Sequence, residues 1–525
     1  MKKKFLIVAL LLIVASISIF ANGSTEKPAV AKTDSSEATS AMSYADEIIV
    51  GDLSEPKYLD PNAPGVGGSE INVCQQIYEG LVKTDKDGII LPCLASDWTI
   101  SDDGMVYTFN LVPGVTFSDG TPVTGEDWEW SLLRARDYEA SSYRFIAENI
   151  DTVEATDSQV VITLKQAAAP FIYDLANFNM VVGCKKHWEA VGDSNYLTDP
   201  IGTGPYMLES WDRGKSLVLT ANPNFREEGY PLTKNIKYLM VADDNTRFMQ
   251  LQSGQLDIIG DIPFSIVPMI KADKDLVLDM FDSTKIRYLI LNTTKAPFDD
   301  PAVRKAMYYA IDKKELAQAI TGVYGNPVSA LVSPTQGKWS NNSLEVTPYQ
   351  PEKAKEALKA AGYDKPIKFT LSVFSGSKVY EQMATLIQSQ VNKAGFDCDI
   401  ELLESAAIDD KYTSLSHQAT ILMWIDDIRD ASEVCGWTVD YDQCDAWYTG
   451  LRDQALEDLN NAAFKELDEE KRVQMYQEIQ QQVYDNANVI PMFSTGFAYA
   501  SSSKIKGLYV SPFGVYESKN WQKVK

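Results

Sequence analysis

Apolar residues in this chain recur in two periods, and the switches between those periods mark its elements. Ile48, Ile49 and Val50 form a short strand-like run, after which Pro56 and Pro61 exclude a helix. A helix is expected from near Ser69, where Ile71, Cys74, Ile77 and Leu81 recur at three- and four-residue steps. Residues 105–111 alternate like a half-buried strand, and residues 160–164 form a similar run. Further on, Asp300 precedes Pro301 as a cap before a first-turn proline. Val303, Met307, Ala310, Ile311 and Leu316 then predict one amphipathic helix closed by Gly322. Residues 367–373 read as a strand, 380–391 as a helix ended by Gly395, and 396–402 as the next strand. That order is a βαβ unit, which implies a parallel pair with a right-handed crossover.

Residues 420–425 are a further apolar run, expected to join the same sheet, and Asp426 and Asp427 follow at its carboxyl end. Ligands of open α/β sheets bind in the crevice outside the carboxyl ends of strands, and two carboxylates there suit a cationic group. The simpler reading is a solvated loop in which Asp430 caps a helix ahead of Glu433.

The N-terminal pattern is of another kind. Lys2, Lys3 and Lys4 precede an apolar run over residues 5–20, with Ala21 at a suitable cleavage position. This predicts a secretory signal peptide over residues 1–21. Residues 22–46 carry few large apolar side chains and are expected to form a flexible linker. No Cys follows the apolar run until Cys74, so a lipid anchor on Cys is not expected. About 480 residues remain, enough for two or three domains.

The net charge of −25 is spread along the chain, which argues against nucleic acid or an anionic membrane as partner. Six cysteines do not make a disulfide scaffold in a chain of this size; Cys435 and Cys444 are close enough to pair, and the pairing is left open. With only His187 and His417, no metal site is expected. The run Gly214-Lys215-Ser216 fails as a phosphate-binding loop because its leading glycine is Glu209, and no GxSxG turn occurs. No catalytic residue and no cofactor is expected, although abundant carboxylates leave a secreted carboxylate hydrolase as an alternative.

The segment Phe117-Ser118-Asp119-Gly120-Thr121-Pro122-Val123-Thr124-Gly125-Glu126-Asp127-Trp128 is a turn followed by a helix start capped by Thr124 and Asp127. With Leu81-Val82 before it and Ser131-Leu132-Leu133-Arg134 after it, it resembles the signature of family 5 extracellular solute-binding proteins. The resemblance continues through Gly202-Thr203-Gly204-Pro205-Tyr206 and Asn222-Pro223-Asn224-Phe225. It extends to Ala296-Pro297-Phe298-Asp299-Asp300-Pro301 with Ala310-Ile311-Asp312. A last stretch runs from Leu467-Asp468-Glu469-Glu470-Lys471-Arg472 to Val489-Ile490-Pro491-Met492-Phe493. The resemblance implies an α/β, type II periplasmic-binding fold, with two lobes, a hinge and a small extra domain. Lobe I would take residues 47–68, 203–285 and 494–525, the extra domain 69–202, and lobe II 286–493.

The resemblance also implies a site. Trp424 matches the family's strand-end Trp, which places Asp427 where peptide-binding members hold the ligand's α-amino group. Met423 and Ile425 would offer main-chain groups to a peptide, with Asp426 beside them. Glu55 and Lys57, within residues 54–57, would form the opposing edge, and Phe493 is a further expected contact. Two departures narrow this: Asp430-Ala431 replaces an acidic-Pro pair, and Ile421 stands where some members carry an Arg for the peptide carboxylate. The expected function is capture of oligopeptides or another small solute for an ABC transporter permease. The protein is expected to be a periplasmic or extracellular monomer, with no nucleic-acid partner. An oligosaccharide or metal chelate is the alternative ligand, and the aromatic residues between Trp437 and Tyr448 would suit sugar stacking.

Overall fold

A computed structural model describes residues 43–525, and the expected signal peptide and most of the expected linker lie outside the described residues. Residues 43–46, assigned to the linker from sequence, belong to the fold: Tyr44 bridges Val524, and the Ala45 amide donates to the Lys523 carbonyl at 2.8 Å.

Three sheets carry the architecture. The first has seven strands in the order Leu276–Phe281, Phe497–Ser502, Ile258–Ile259, Glu47–Asp52, Asn235–Met240, Ser216–Ala221 and Tyr206–Asp212. It gathers segments from the start, middle and end of the chain into lobe I. The second sheet, in lobe II, has six strands: Gly325–Pro327, Val489–Thr495, Ile286–Leu291, Ala419–Trp424, Ile367–Phe374 and Phe396–Leu403. Four antiparallel strands, Ala95–Ile100, Val106–Leu111, Gln159–Leu164 and Ile150–Thr156, form the extra domain around a separate core containing Tyr107, Phe109, Trp128 and Leu132. The helix Gly68–Ile77, expected to open the extra domain, packs through Val73, Cys74 and Ile77 into the lobe I core instead.

The βαβ unit forms as its periodicity requires. Ile367–Phe374 runs parallel to Phe396–Leu403 in unbroken register from Ile367↔Phe396 to Phe374↔Leu403. The crossover helix Lys378–Lys393 buries Met383, Ala384, Ile387 and Val391, one stripe at helical spacing. Each of the larger three contributes roughly 1.5–3 kcal/mol by leaving water. Gly395, at φ +95, turns the chain back into the sheet with no Cβ to strain.

One expected element is divided. The amphipathic run after Asp300 makes two helices, Pro301–Ala310 and Lys313–Thr321, because Asp312 leaves helical geometry and caps the second, its carboxylate accepting from the Glu315 amide at 2.9 Å. At the first turn of that second helix lies Lys313, 2% exposed, whose Nζ donates to the Val328 carbonyl at 2.9 Å and the Ser329 Oγ at 3.2 Å. No carboxylate pairs with it among the described residues, and burial pushes the ammonium down to about 7. The unfolded chain therefore binds the extra proton between about pH 7 and 10.4, so stability is lost as pH falls through that window. Lys313→Met is expected to flatten this dependence and raise stability at pH 7 by on the order of 2–4 kcal/mol. Urea midpoints across pH check this, and a slope identical to that of the wild type would refute it.

The chain crosses between the lobes after Phe281 and again at Gly496. The crossings touch: Thr495 donates its amide to the Lys285 carbonyl at 3.2 Å, and a Cβ on Gly496 would collide with the Phe281 carbonyl oxygen. Two adjacent connections of this kind are the usual structure of a hinge.

Candidate functional site

The strand Ala419–Trp424 is the central positioning element. On one side it pairs antiparallel with Ile286–Leu291 along its length, from Leu291↔Ala419 to Ile286↔Trp424. On the other side it pairs with Ile367–Phe374 only at Leu371↔Ala419 and Ser372↔Thr420. From Ile421 onward that second edge has no strand partner among the described residues, although Ile421 itself is buried. Unpaired strand edges present free N–H and C=O groups.

Beside this strand end lies a cavity of about 470 Å³ lined from both lobes. Met423, Trp424, Ile425, Asp427 and Ile428 form the lobe II wall. Ile71, Asn72 and Gln75 from the helix Gly68–Ile77, with Phe497, Tyr499 and Tyr516 from the C-terminal return, face them from lobe I. The cavity lies between two bodies joined by a hinge, which is where small-molecule sites concentrate.

Asp427 is half-buried and its amide donates to Glu433 Oε2 at 2.7 Å. Burial pushes its carboxyl up to about 6, against the opposing contact with Glu433. Glu433 is raised well above its usual range by burial, then by the nearby Asp427 and Asp426. Tyr143, on the cavity wall, is raised by burial and by the same two carboxyls, Asp427 and Glu433. Among the described residues none of these groups has a cation in contact, so the cluster favours an incoming positive charge.

Trp424 both lines the cavity and packs, its ring 5.8 Å from Trp437 and 6.4 Å from Trp447, edge-on to each. Asp426, expected beside Asp427, is 2% exposed and does not line the cavity. Its amide donates to Thr284 Oγ1 at 2.9 Å and its Oδ2 accepts from Gln336 at 2.7 Å, so it ties the strand end to the hinge crossing. The side chains of successive residues diverge here, and only one of the two aspartates faces the cleft. The loop reading is also corrected: Asp430 does accept from the Ser432 amide at 2.9 Å, but it is wholly buried in a bidentate pair with Arg472.

Three expected contacts lie elsewhere. Glu55 accepts from the Trp211 indole at 2.9 Å and the Gly214 amide at 3.0 Å, so its charge is spent on a lobe I hairpin. Lys57 is exposed, with its amide held by Glu70 at 2.6 Å. Phe493 is fully buried in the lobe II core with Leu289 and Val303. Of the aromatic segment after Cys435, Trp447 packs against Tyr288 and Tyr448 stacks on Tyr412, leaving Trp437 beside open space. Cys435 and Cys444 are both free, and the Cys444 thiol faces the Trp437 carbonyl at 2.9 Å.

Sequence reasoning missed the cationic part of the lining. Lys83 and Lys519 both reach the cavity, paired to Glu517 at 3.3 Å and Glu227 at 2.6 Å. Neither stands in a recognisable pattern: Lys83 comes from the short strand Val82–Thr84, and Lys519 from the chain's last segment, which also supplies Glu517, the partner of Lys83.

Two lobes, a hinge and a cleft with an uncompensated carboxylate define a ligand-closing binding protein. The profile described as "Bacterial extracellular solute-binding proteins, family 5 Middle" matches residues 90–443, and the chain belongs to this family. It is a family of solute-binding proteins rather than enzymes. Among curated relatives, the glutathione-binding protein GsiB of Salmonella typhi is 29% identical over 484 residues, covering 89% of this chain and 93% of its own. Among solved structures, an ABC transporter-associated periplasmic binding protein DppA from Helicobacter pylori, in complex with the peptide STSA, superposes with a TM-score of 0.80. It is 23% identical, with 92% of this chain and 99% of that one covered. NikZ from Campylobacter jejuni, in complex with Ni(L-His), gives 0.80 at 22% identity over 91% of this chain and 99% of that one. At these identities both structures speak for the fold. Among the described residues no helix is long and apolar enough to cross a membrane.

Proposed function

We propose that the protein captures short peptides outside the cytoplasm, holding the free α-amino group at Asp427, and delivers them as a monomer to an ABC permease. The observation that carries this reading is the Asp427 carboxyl, without a cation, at the end of a strand whose edge is open from Ile421 onward. A peptide laid along that edge gains main-chain hydrogen bonds in the region of Met423 and Ile425, as in strand addition. Its ammonium forms a charge-assisted bond with Asp427. Lys83 and Lys519 are the cations of the lining, and one of them would have to share or leave its partner, Glu517 or Glu227, to meet the peptide carboxylate, in place of the basic residue absent at Ile421. The relatives' ligands, glutathione for one and the peptide STSA for another, are of this chemical class. The test is calorimetry with a tripeptide and its N-acetylated form. Loss of tenfold or more in affinity on acetylation supports the reading, and equal binding removes it.

The site also sets a pH dependence. A carboxyl raised to about 6 is protonated below that pH and ionised above it. The α-amino group of a peptide stays charged to about pH 8. Affinity is therefore expected to fall about tenfold per unit as pH drops below 6, and to fall again above 8. In the empty protein the sign is opposite. The raised carboxyl contributes stability fully below about pH 4, and this is lost as pH rises through about 6. Titrations at pH 5, 7 and 9 check the first claim, and a flat profile from 5 to 7 would contradict it.

The aromatic lining, with Tyr143, Phe178, Tyr499 and Tyr516, favours an oligosaccharide as second reading. A thermal-shift screen of peptides against cello- and manno-oligosaccharides separates the two, since a ligand bound by the native state alone raises the melting temperature.

A further inference from the structure

A second cavity, of about 410 Å³, adjoins the first. Ile428 belongs to the walls of both, and Glu433, which holds the Asp427 amide, lines the second. Its walls come from the extra domain, through Phe145 and Asp174, and from lobe II, through Trp437, Asn460 and Phe464. At this volume it matches the range of small-molecule sites, roughly 300–1,000 Å³.

The polar atoms of its lining that are buried without a partner are acceptors. Glu433 Oε1 and Asn460 Oδ1 are screened from solvent and have no hydrogen-bond partner. The half-buried Asp174 carboxyl makes no hydrogen bond or ion pair among the described residues; burial, then the nearby Asp430, push it well above the usual carboxylate range against the weaker pull of Arg472. All three can accept, and each of the two buried, unpaired acceptors, Glu433 Oε1 and Asn460 Oδ1, costs about 1–3 kcal/mol. The lining holds Glu148, Asp174, Glu433 and Asp440 against one cation, Lys165, whose Nζ is turned to the Glu148 carbonyl at 2.7 Å. An anion is thus disfavoured. The apolar walls are aromatic: Phe145 meets Trp437 edge-on with centroids 5.3 Å apart, and Phe464 closes the lining.

We propose that this second cavity binds a guanidinium group. A guanidinium brings five donors and no acceptor, carries the charge that the carboxyls lack, and stacks on aromatic faces. Its source is either the Arg side chain of a peptide held at Asp427, which rests on the reading above, or a separate small guanidine.

The experiment titrates the purified protein with Ala-Ala-Ala, Ala-Arg-Ala and ethylguanidinium, in wild type, Asp174→Asn and Asn460→Leu. A peptide source predicts that Ala-Arg-Ala binds at least tenfold tighter than Ala-Ala-Ala in wild type. Both variants are expected to lose that preference while their affinity for Ala-Ala-Ala is unchanged, which a merely structural role for either side chain does not produce. A separate guanidine source predicts ethylguanidinium binding that falls at least tenfold in both variants. If neither peptide binds, the peptide reading fails alone and ethylguanidinium decides this one. Binding of ethylguanidinium and an Arg preference that are both absent, or both indifferent to the two substitutions, overturns the proposal.

Discussion

Asp427→Asn is expected to weaken binding of a free-amine peptide by tenfold or more, at least about 1.4 kcal/mol. The substitution keeps the shape of the side chain and removes only its capacity for charge. Asp427→Ala is expected to cost more, about 2–5 kcal/mol, because the ligand's ammonium is then left buried and unpaired. The same variants should bind an N-acetylated peptide as the wild type does. Asp427→Asn should also leave the empty protein as stable or more so at pH 7, since it removes a desolvated charge beside Glu433. Calorimetry on the two peptides is the measurement, and undiminished affinity for the free amine would take Asp427 out of the site.

Arg472→Met is expected to destabilise the protein by about 3–5 kcal/mol, the usual cost of stranding one partner of a buried pair. Arg472 donates to both oxygens of Asp430, at 2.8 and 2.9 Å, and its Nε donates to the Ala463 carbonyl at 3.0 Å. The two side chains are 4% and 0% exposed. Asp430 also receives the Ser432 amide, so the pair fixes the loop that presents Asp427. Arg472→Lys should recover only part of the loss, because a point charge cannot reproduce two parallel bonds. The double variant Arg472→Met with Asp430→Leu should be less destabilised than Arg472→Met alone, since no uncompensated charge remains. Urea unfolding reports all three, and a loss under about 1 kcal/mol in Arg472→Met would mean the pair is not what holds this loop.

Local pattern was legible wherever one period ran unopposed. The βαβ unit over residues 367–403 follows from its spacing, because a strand period, a helical stripe and a strand period leave one sensible packing. The Thr124 cap forms as read, with its oxygen accepting from the Asp127 amide at 3.3 Å. The run after Asp300 misled because Val303, Met307, Ala310 and Ile311 do fall at helical spacing, and the break at Asp312 depends on one carboxylate choosing a backbone amide. The strand end was legible and Asp427 does lie on the cavity wall, whereas Asp426, Glu55, Lys57 and Phe493, also expected as contacts, form no part of that wall. Their partners, Gln336, Trp211 and the lobe II core, lie far off in sequence, so nothing local marks which way each side chain turns.

By itself, then, the sequence determined the elements, the family and the aspartate at the strand end, because hydrophobic period, capping chemistry and turn residues act over a few positions. Only the tertiary structure decided which of two neighbouring carboxylates enters the cleft, that Asp430 is buried against Arg472, and that Lys83 and Lys519 line the same cavity. Those outcomes depend on contacts across lobes and on desolvation, and both are set by where distant segments of the chain pack.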